Sequence, residues 1–222
     1  MADQATQETQ TNTKTNSFNW YVCILDASGS MNSYVKDTMG SLRSFQTEQA
    51  KEVDSESKFF VTTFSSPDKI RQVADMTIGD TLDFPYIAQG NTALLDAIGQ
   101  TITNTRKKLS EASRKPECVY VIILTDGQEN SSCKYTRSVI YDLIGSQKTD
   151  GWKFIFLGAN QDAIAEGACL NITRGSCLNY AQTTEQTDCA LKSVSCAILR
   201  AQHTESEVEF SQVERSMSSQ VQ

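Results

Sequence analysis

The stretch Glu117–Thr125 places the strongest constraint on the fold, because its interior, Cys-Val-Tyr-Val-Ile-Ile-Leu, is apolar without interruption. Such a run is typical of a central parallel β-strand that helices cover on both faces. The pair Asp126-Gly127 follows directly and ends the run. The sequence therefore predicts a buried strand that has a carboxylate at its carboxyl end.

Strand-like and helix-like patterns alternate along the rest of the chain. The turn Ser65-Ser66-Pro67-Asp68 is too short for a crossover, so the strand after it should return antiparallel at an edge. We therefore predict an α/β fold of three layers, doubly wound, with a mostly parallel central sheet and one antiparallel edge strand. The predicted strands are Trp20–Leu25, Lys58–Phe64, Ile70–Met76, Glu117–Thr125, Trp152–Leu157 and a weak Cys177–Ala181. The predicted helices run from a cap at Ser33 to about Val53, from Ala93 to about Leu109, over Tyr135–Gln147, briefly after Asp162, and over Thr184–Gln202.

The composition indicates one medium-sized domain, since 39% of the 222 residues are hydrophobic and 21% are charged. Residues 1–17 are rich in Gln and Thr and contain no apolar signal segment, so we expect a disordered leader without a signal peptide. The domain should occupy residues 18–202. Residues 203–222 are mainly polar, and we predict a flexible tail there.

Charge and cysteine content exclude several classes of function. A net charge of -7 and a pI of about 4.8 repel phosphate backbones, so we expect no nucleic-acid partner. We expect no membrane partner, because no apolar run approaches the roughly 20 residues that span a bilayer. The seven cysteines form no C-x-x-C pair and His203 is the single histidine, which makes a zinc site improbable and favours a reducing cytoplasm.

Oxygen-bearing side chains occur where predicted strands give way to helices. Asp26, Ser28 and Ser30 follow the first strand, Asp126 follows the central strand, and Thr92 precedes a helix. Ligands of open α/β sheets bind beyond the carboxyl ends of the strands. Carboxylates, hydroxyls and waters are the ligands that Mg²⁺ accepts, and an incomplete protein shell leaves a coordination position free. In the alternative interpretation, residues such as Asp26 and Thr92 merely cap helices.

The residues Asp26-Ala-Ser28-Gly-Ser30, Thr92 and Thr-Asp126-Gly together resemble the metal-ion-dependent adhesion site of von Willebrand factor type A domains, of the stand-alone intracellular kind. The resemblance covers roughly residues 18–202. It implies that Ser28 and Ser30 bind Mg²⁺ or Mn²⁺ directly, that Asp26 and Asp126 act mainly through waters, and that Thr92 does either. It further implies a non-enzymatic protein-binding module, in which an Asp or Glu of a partner protein completes the metal shell.

Enzymatic functions are the main alternative, above all a metal-dependent phosphoester hydrolase that uses Asp26. Phosphatases that begin with an Asp at a strand tip require a second carboxylate two residues later, where this chain has Ser28. A serine hydrolase requires a base, and His203 lies near the polar tail, where we expect a surface position. A structural component of a larger assembly is a third possibility. The sequence does not specify the oligomeric state.

Overall fold

The structure is a computed structural model that describes residues 17–159 and 162–219, so almost all of the predicted leader lies outside the described residues. Strands and helices alternate in the predicted order. The strands are β1 (Asn19–Asp26), β2 (Lys58–Phe64), β3 (Arg71–Thr77), β4 (Cys118–Thr125), β5 (Lys153–Ala159) and β6 (Cys177–Tyr180), and the helices are α1 (Val35–Glu52), α2 (Leu94–Glu111), α3 (Arg137–Thr149), α4 (Ala163–Cys169), α5 (Thr184–Thr204) and α6 (Gln212–Ser219).

Within the described residues the strands form one six-stranded sheet in the order β3-β2-β1-β4-β5-β6. Only β2 and β3 pair antiparallel, and the other neighbours are parallel. The predicted fold class is therefore confirmed, including the antiparallel edge strand and the weak last strand. No helix in this part of the chain has the length and apolar character needed to cross a bilayer.

The strand order places a topological switch point between β1 and β4. From β1 the chain adds β2 and β3 on one side, and from β4 it adds β5 and β6 on the other. The pairing of Leu25 with Leu124 brings the carboxyl ends of β1 and β4 to the same level. In sheets of this kind the loops diverge at such a switch point and leave room for a ligand.

Each face of the sheet is covered by helices, which produces two apolar layers. Helices α1 and α5 cover one face, where Leu42 and Phe45 share a cluster with Leu191 and Val194. Helices α2 and α3 cover the other face with residues such as Ile98 and Ile144. Burying one such side chain contributes about 1.5–3 kcal/mol, so these layers hold the site-bearing strand ends in place.

The predicted helix start at Ser33 is wrong. A 3₁₀ turn over Gly29–Tyr34 comes first, and α1 begins at Val35 without a side-chain cap. The buried side chain of Met31 packs the turn against the core. Apolar spacing did not reveal this turn, because Met31 is the one buried residue within it and a single residue sets no period.

The structure also differs from the prediction of a flexible polar tail at residues 203–222. Helix α5 ends at Thr204, Glu205 adopts a left-handed conformation with φ 52°, and the chain returns to form α6. Val208 and Phe210, at 0% and 6% exposure, pack into the α5 side of the core. Two apolar residues among Glu and Ser therefore anchor a segment whose overall composition is polar. Residues 220–222 lie outside the described residues.

Candidate metal centre

Three loops meet above the carboxyl ends of β1 and β4. The backbone N–H of Gly29, after β1, donates to the carbonyl of Gly90 at 3.0 Å. Asn130, after β4, joins Thr92 twice: its N–H donates to the Thr92 carbonyl at 3.1 Å, and its Oδ1 accepts from the Thr92 N–H at 2.9 Å. These bonds hold segments that are far apart in sequence in one neighbourhood.

Four of the five predicted site residues form one chain of hydrogen bonds. The Ser28 N–H donates to Asp26 Oδ1 at 2.7 Å. Ser28 Oγ lies 3.1 Å from Ser30 Oγ, and Ser30 Oγ donates to Asp126 Oδ1 at 2.8 Å. The loop after β1 is therefore joined through side chains to Asp126, the residue that follows β4.

Thr92, the fifth predicted residue, lies next to Gly127, the residue that follows Asp126. A Cβ atom built on Gly127 would lie 3.1 Å from Thr92 Oγ1, so the threonine hydroxyl sits against the backbone that follows Asp126. A side chain at position 127 would press on that hydroxyl. The absence of a Cβ at Gly127 is what allows this close approach.

The centre has a buried floor and an open rim. Asp26, Ser28, Thr92 and Asp126 are 0%, 2%, 4% and 8% exposed, whereas Ser30 is exposed. A ligand from solution would therefore reach the oxygen cluster from the Ser30 side.

The environment of Asp26 disfavours its charged form. Burial raises the pKa of its carboxyl from 3.8 to about 6, and the nearby charge of Asp126 adds to the rise. Hydrogen bonds from Ser28 and from Thr125 Oγ1, the latter at 2.6 Å, oppose the shift without cancelling it. A positive charge at the centre would relieve this cost, because an opposite charge favours the ionised carboxylate.

Three further residues at the centre were not among the five predicted site residues, although Thr125 stands in the quoted Thr-Asp126-Gly motif. Thr125 donates to Asp26, the Tyr86 hydroxyl donates to the Asp26 carbonyl, and Gln182 Nε2 donates to Asp126 Oδ2 at 2.6 Å. Thr125 was detectable in principle, since it is the last residue of the strand that precedes Asp126. Tyr86 and Gln182 lie in loops without a pattern that points to the site.

Two further carboxylates hold the loop after β4. Glu129 accepts hydrogen bonds from the N–H groups of Leu95 and Ser132 at 2.9 and 2.7 Å. Buried Asp96 accepts from the N–H groups of Lys134 and Tyr135, both at 2.9 Å. Burial alone would raise the pKa of Asp96, yet the backbone N–H groups of Cys133, Lys134 and Tyr135 together lower it overall. Both carboxylates thus support the loop that carries Asp126.

The donor set fits a hard divalent cation such as Mg²⁺ or Mn²⁺. The clustered side chains offer only oxygen atoms, from two carboxylates and three hydroxyls. Within residues 17–159 and 162–219, His, Cys, Asp and Glu side chains do not gather in groups of three or more that could hold a metal ion.

Comparison with known proteins finds similarity in structure rather than in sequence. No protein-family model and no curated protein sequence matches the chain. Proximal thread matrix protein 1 from the mussel byssus is similar in structure, with a TM-score of 0.61, 16% identity, and 80% of this chain and 47% of that chain covered. Another structure of that protein is described as having a zinc-occupied MIDAS motif; its TM-score is 0.58 at 16% identity, with 80% and 47% covered.

A bacterial protein domain shows the same similarity over nearly its whole length. The vWF domain of the type V pili tip protein Mfa5 from Porphyromonas gingivalis gives a TM-score of 0.58 at 9% identity, with 84% of this chain and 96% of that chain covered. This chain therefore has the fold of a von Willebrand factor type A domain. It spans about half the length of the mussel protein.

Proposed function

We propose that this domain is a metal-dependent protein-binding module in which Asp26, Ser28, Ser30, Thr92 and Asp126 hold Mg²⁺ or Mn²⁺. The observation that carries the proposal is the Ser28–Ser30–Asp126 chain of hydrogen bonds, because it gathers oxygen donors from two distant loops. The zinc-occupied motif of the mussel protein supports a divalent cation in this fold.

The side chains of the centre would contribute differently to cation binding. Asp26 and Asp126 would supply negative charge and would contact the cation mainly through waters, while the hydroxyls of Ser28 and Ser30 would bind it through neutral lone pairs. When bound, the cation supplies positive charge and an open coordination position. Ser30 lies at the exposed rim, so an Asp or Glu side chain of a partner protein can approach there.

The burial of Asp26 favours binding over the alternative of phosphoester hydrolysis. A nucleophilic carboxylate must reach the phosphorus atom, yet Asp26 is 0% exposed. Both of its oxygens already accept hydrogen bonds, from the Ser28 N–H and from Thr125 Oγ1. We therefore propose a non-catalytic role. Turnover in a panel of phosphoesters that is lost in Asp26→Asn would instead support the hydrolase.

The metal site is tested by titrating the purified full chain with Mg²⁺ and Mn²⁺ in a calorimeter. Wild type should show saturable binding, and its melting temperature should rise with Mg²⁺ relative to EDTA, because a ligand that binds only the folded state stabilises it. Asp126→Asn should lose both effects. Asp142→Asn, which changes an exposed carboxylate on α3, should keep both. A wild-type chain that binds neither ion rejects the proposal.

The partner chemistry is tested by affinity capture. Immobilised wild type should retain a protein from an extract of the native host in Mg²⁺ and release it in EDTA, whereas immobilised Asp126→Asn should not retain it. Replacing Asp and Glu residues of that protein by Asn and Gln, one at a time, should identify one carboxylate that is required. Retention that is equal in EDTA contradicts a metal-dependent contact. The cytoplasmic location and the lack of nucleic-acid and membrane partners stay predictions from composition.

A further inference from the structure

A glutamine side chain from outside the predicted motif contacts the proposed metal centre. Gln182 Nε2 donates to Asp126 Oδ2 at 2.6 Å, while Ser30 Oγ donates to Asp126 Oδ1 at 2.8 Å. Each carboxylate oxygen therefore has its own donor. Two donors on opposite oxygens fix the rotation of a carboxylate, which a single donor does not.

Gln182 reaches Asp126 from the loop that follows the edge strand β6. It lies in the short loop between β6 and α5, and β5 separates β6 from β4. The loop is tight: the Thr183 N–H donates to the Ala181 carbonyl at 2.9 Å, and the Thr183 side chain caps α5. Gln182 Nε2 also lies 3.8 Å from the sulfur of Met31, in the turn after Ser30.

The C-terminal segment holds this loop from behind. The Ala181 N–H, next to Gln182, donates to the carbonyl of Ser218 in α6 at 2.9 Å. Arg215 ties α6 to the start of β6, because its guanidinium donates to the carbonyls of Cys177 and Gly175 at 2.7 and 2.9 Å. Two hydrogen bonds thus connect α6 to Asp126, one at Ala181 and one at its chain neighbour Gln182.

We propose that Gln182 is a positioning residue of the metal centre and that residues 205–219 set its position. The inference rests on the proposed metal site. Gln182 holds the Asp126 carboxylate in the orientation that suits a cation and its waters. Hydrogen-bond partners of ligating carboxylates typically contribute about 10- to 100-fold to metal affinity. The packing of α6 against β6 would therefore influence how tightly the centre binds its ion.

The first test compares Mg²⁺ affinities by calorimetry. Gln182→Met keeps the length of the side chain and removes the donor, so its dissociation constant should rise about 10- to 100-fold. Gln89→Met makes the same change at an exposed glutamine next to Gly90 and should bind like wild type. A Gln182→Met affinity within twofold of wild type overturns the role of Gln182.

The second test asks whether α6 acts through Gln182. Arg215→Ala removes the contacts to β6 without touching the centre, and it should weaken Mg²⁺ binding in the wild-type background. In the Gln182→Met background the same change should have no further effect, because the hydrogen bond to Asp126 is already lost. An equal loss in both backgrounds, or none in the wild-type background, overturns the role of residues 205–219.

A spectroscopic measurement separates positioning from loss of folded protein. The side-chain amide resonance of Gln182, assigned by its disappearance in Gln182→Met, should shift when Mg²⁺ is added and should also shift in metal-free Arg215→Ala. A resonance that does not respond to either change overturns the inference. If wild type binds no Mg²⁺, both the proposed metal site and this inference are rejected. If wild type binds Mg²⁺ and Gln182→Met binds it with the same affinity, only the inference is rejected.

Discussion

Thr125 Oγ1 donates a hydrogen bond to Asp26 Oδ2 at 2.6 Å and thereby joins the last residue of β4 to the last residue of β1. Thr125 Oγ1 also accepts from the Gly127 N–H at 3.2 Å, so one hydroxyl connects both strand ends to the turn after Asp126. This contact lies beneath the hydroxyl cluster. It holds the buried Asp26 carboxylate in place before any ligand arrives.

Replacing Thr125 by Val should destabilise the protein by about 1–3 kcal/mol, because the buried Asp26 carboxylate loses a donor and the partly buried Gly127 N–H loses its acceptor. The pKa of Asp26 should rise further, since a hydrogen bond that lowers it is lost. Thr101→Val is the matched control: Thr101 is also buried, and its hydroxyl has no hydrogen-bond partner among the described residues. Urea unfolding of both variants measures the difference, and equal effects would contradict the role assigned to Thr125.

The stability of the metal-free protein should fall as the pH rises from about 4 to about 6. Over this range the folded state keeps the Asp26 proton, with a pKa of about 6, while the unfolded chain has already released it. Stability falls with pH wherever the folded state binds more protons. A difference of one pKa unit corresponds to about 1.4 kcal/mol. Because the pKa of Asp26 rises from 3.8 to about 6, the free energy of unfolding should decrease by at most about 3 kcal/mol.

Asp26→Asn should remove this component of the pH dependence, since the amide does not titrate. The measurement is urea unfolding in EDTA from pH 4 to pH 7 for wild type, Asp26→Asn and the exposed control Asp142→Asn. The control should follow wild type. The assignment to Asp26 is wrong if the Asp26→Asn and wild-type curves remain parallel over the whole range.

Two helical glycines should respond in opposite directions to replacement by Ala. A Cβ at Gly40 in α1 meets nothing within 4 Å, so Gly40→Ala should stabilise the protein by about 0.4–1 kcal/mol through the entropy of the unfolded chain. A Cβ at Gly99 in α2 would lie 2.5 Å from Cε1 of Tyr135. Gly99→Ala should therefore cost about 1–3 kcal/mol through overpacking. Thermal melts of the two variants that shift in the same direction would contradict the packing of Tyr135 on α2.

The segment after α5 should contribute measurably to stability. Phe210 is buried, and Phe210→Ala should cost about 3–5 kcal/mol, as for other large buried side chains. Val213 on α6 is 66% exposed, so Val213→Ala should change stability by less than about 0.5 kcal/mol. Chemical denaturation distinguishes these outcomes. A Phe210→Ala variant as stable as Val213→Ala would restore the prediction of a loose tail.

The local sequence pattern was sufficient to predict most of the fold. The apolar run in β4 and the short turn between β2 and β3 led to the observed parallel sheet with its antiparallel edge. The convergence of Asp26, Ser28 and Asp126 also followed, because parallel strands bring their carboxyl ends to one edge. The 3₁₀ turn before α1 and the packed segment around Phe210 were missed. Each buries only one or two apolar side chains, Met31 in the turn and Val208 and Phe210 in the segment, and so few residues leave no periodic signal.

The sequence by itself determined the six strands, most of the helices, and which oxygen-bearing residues stand at the strand ends, because hydrophobic period and turn chemistry are local properties. Only the tertiary structure decided that Thr125 supports Asp26 and that Gln182 reaches Asp126 across β5. These are contacts between side chains far apart in the chain. Their geometry depends on strand order, register and loop packing, which no stretch of sequence encodes alone.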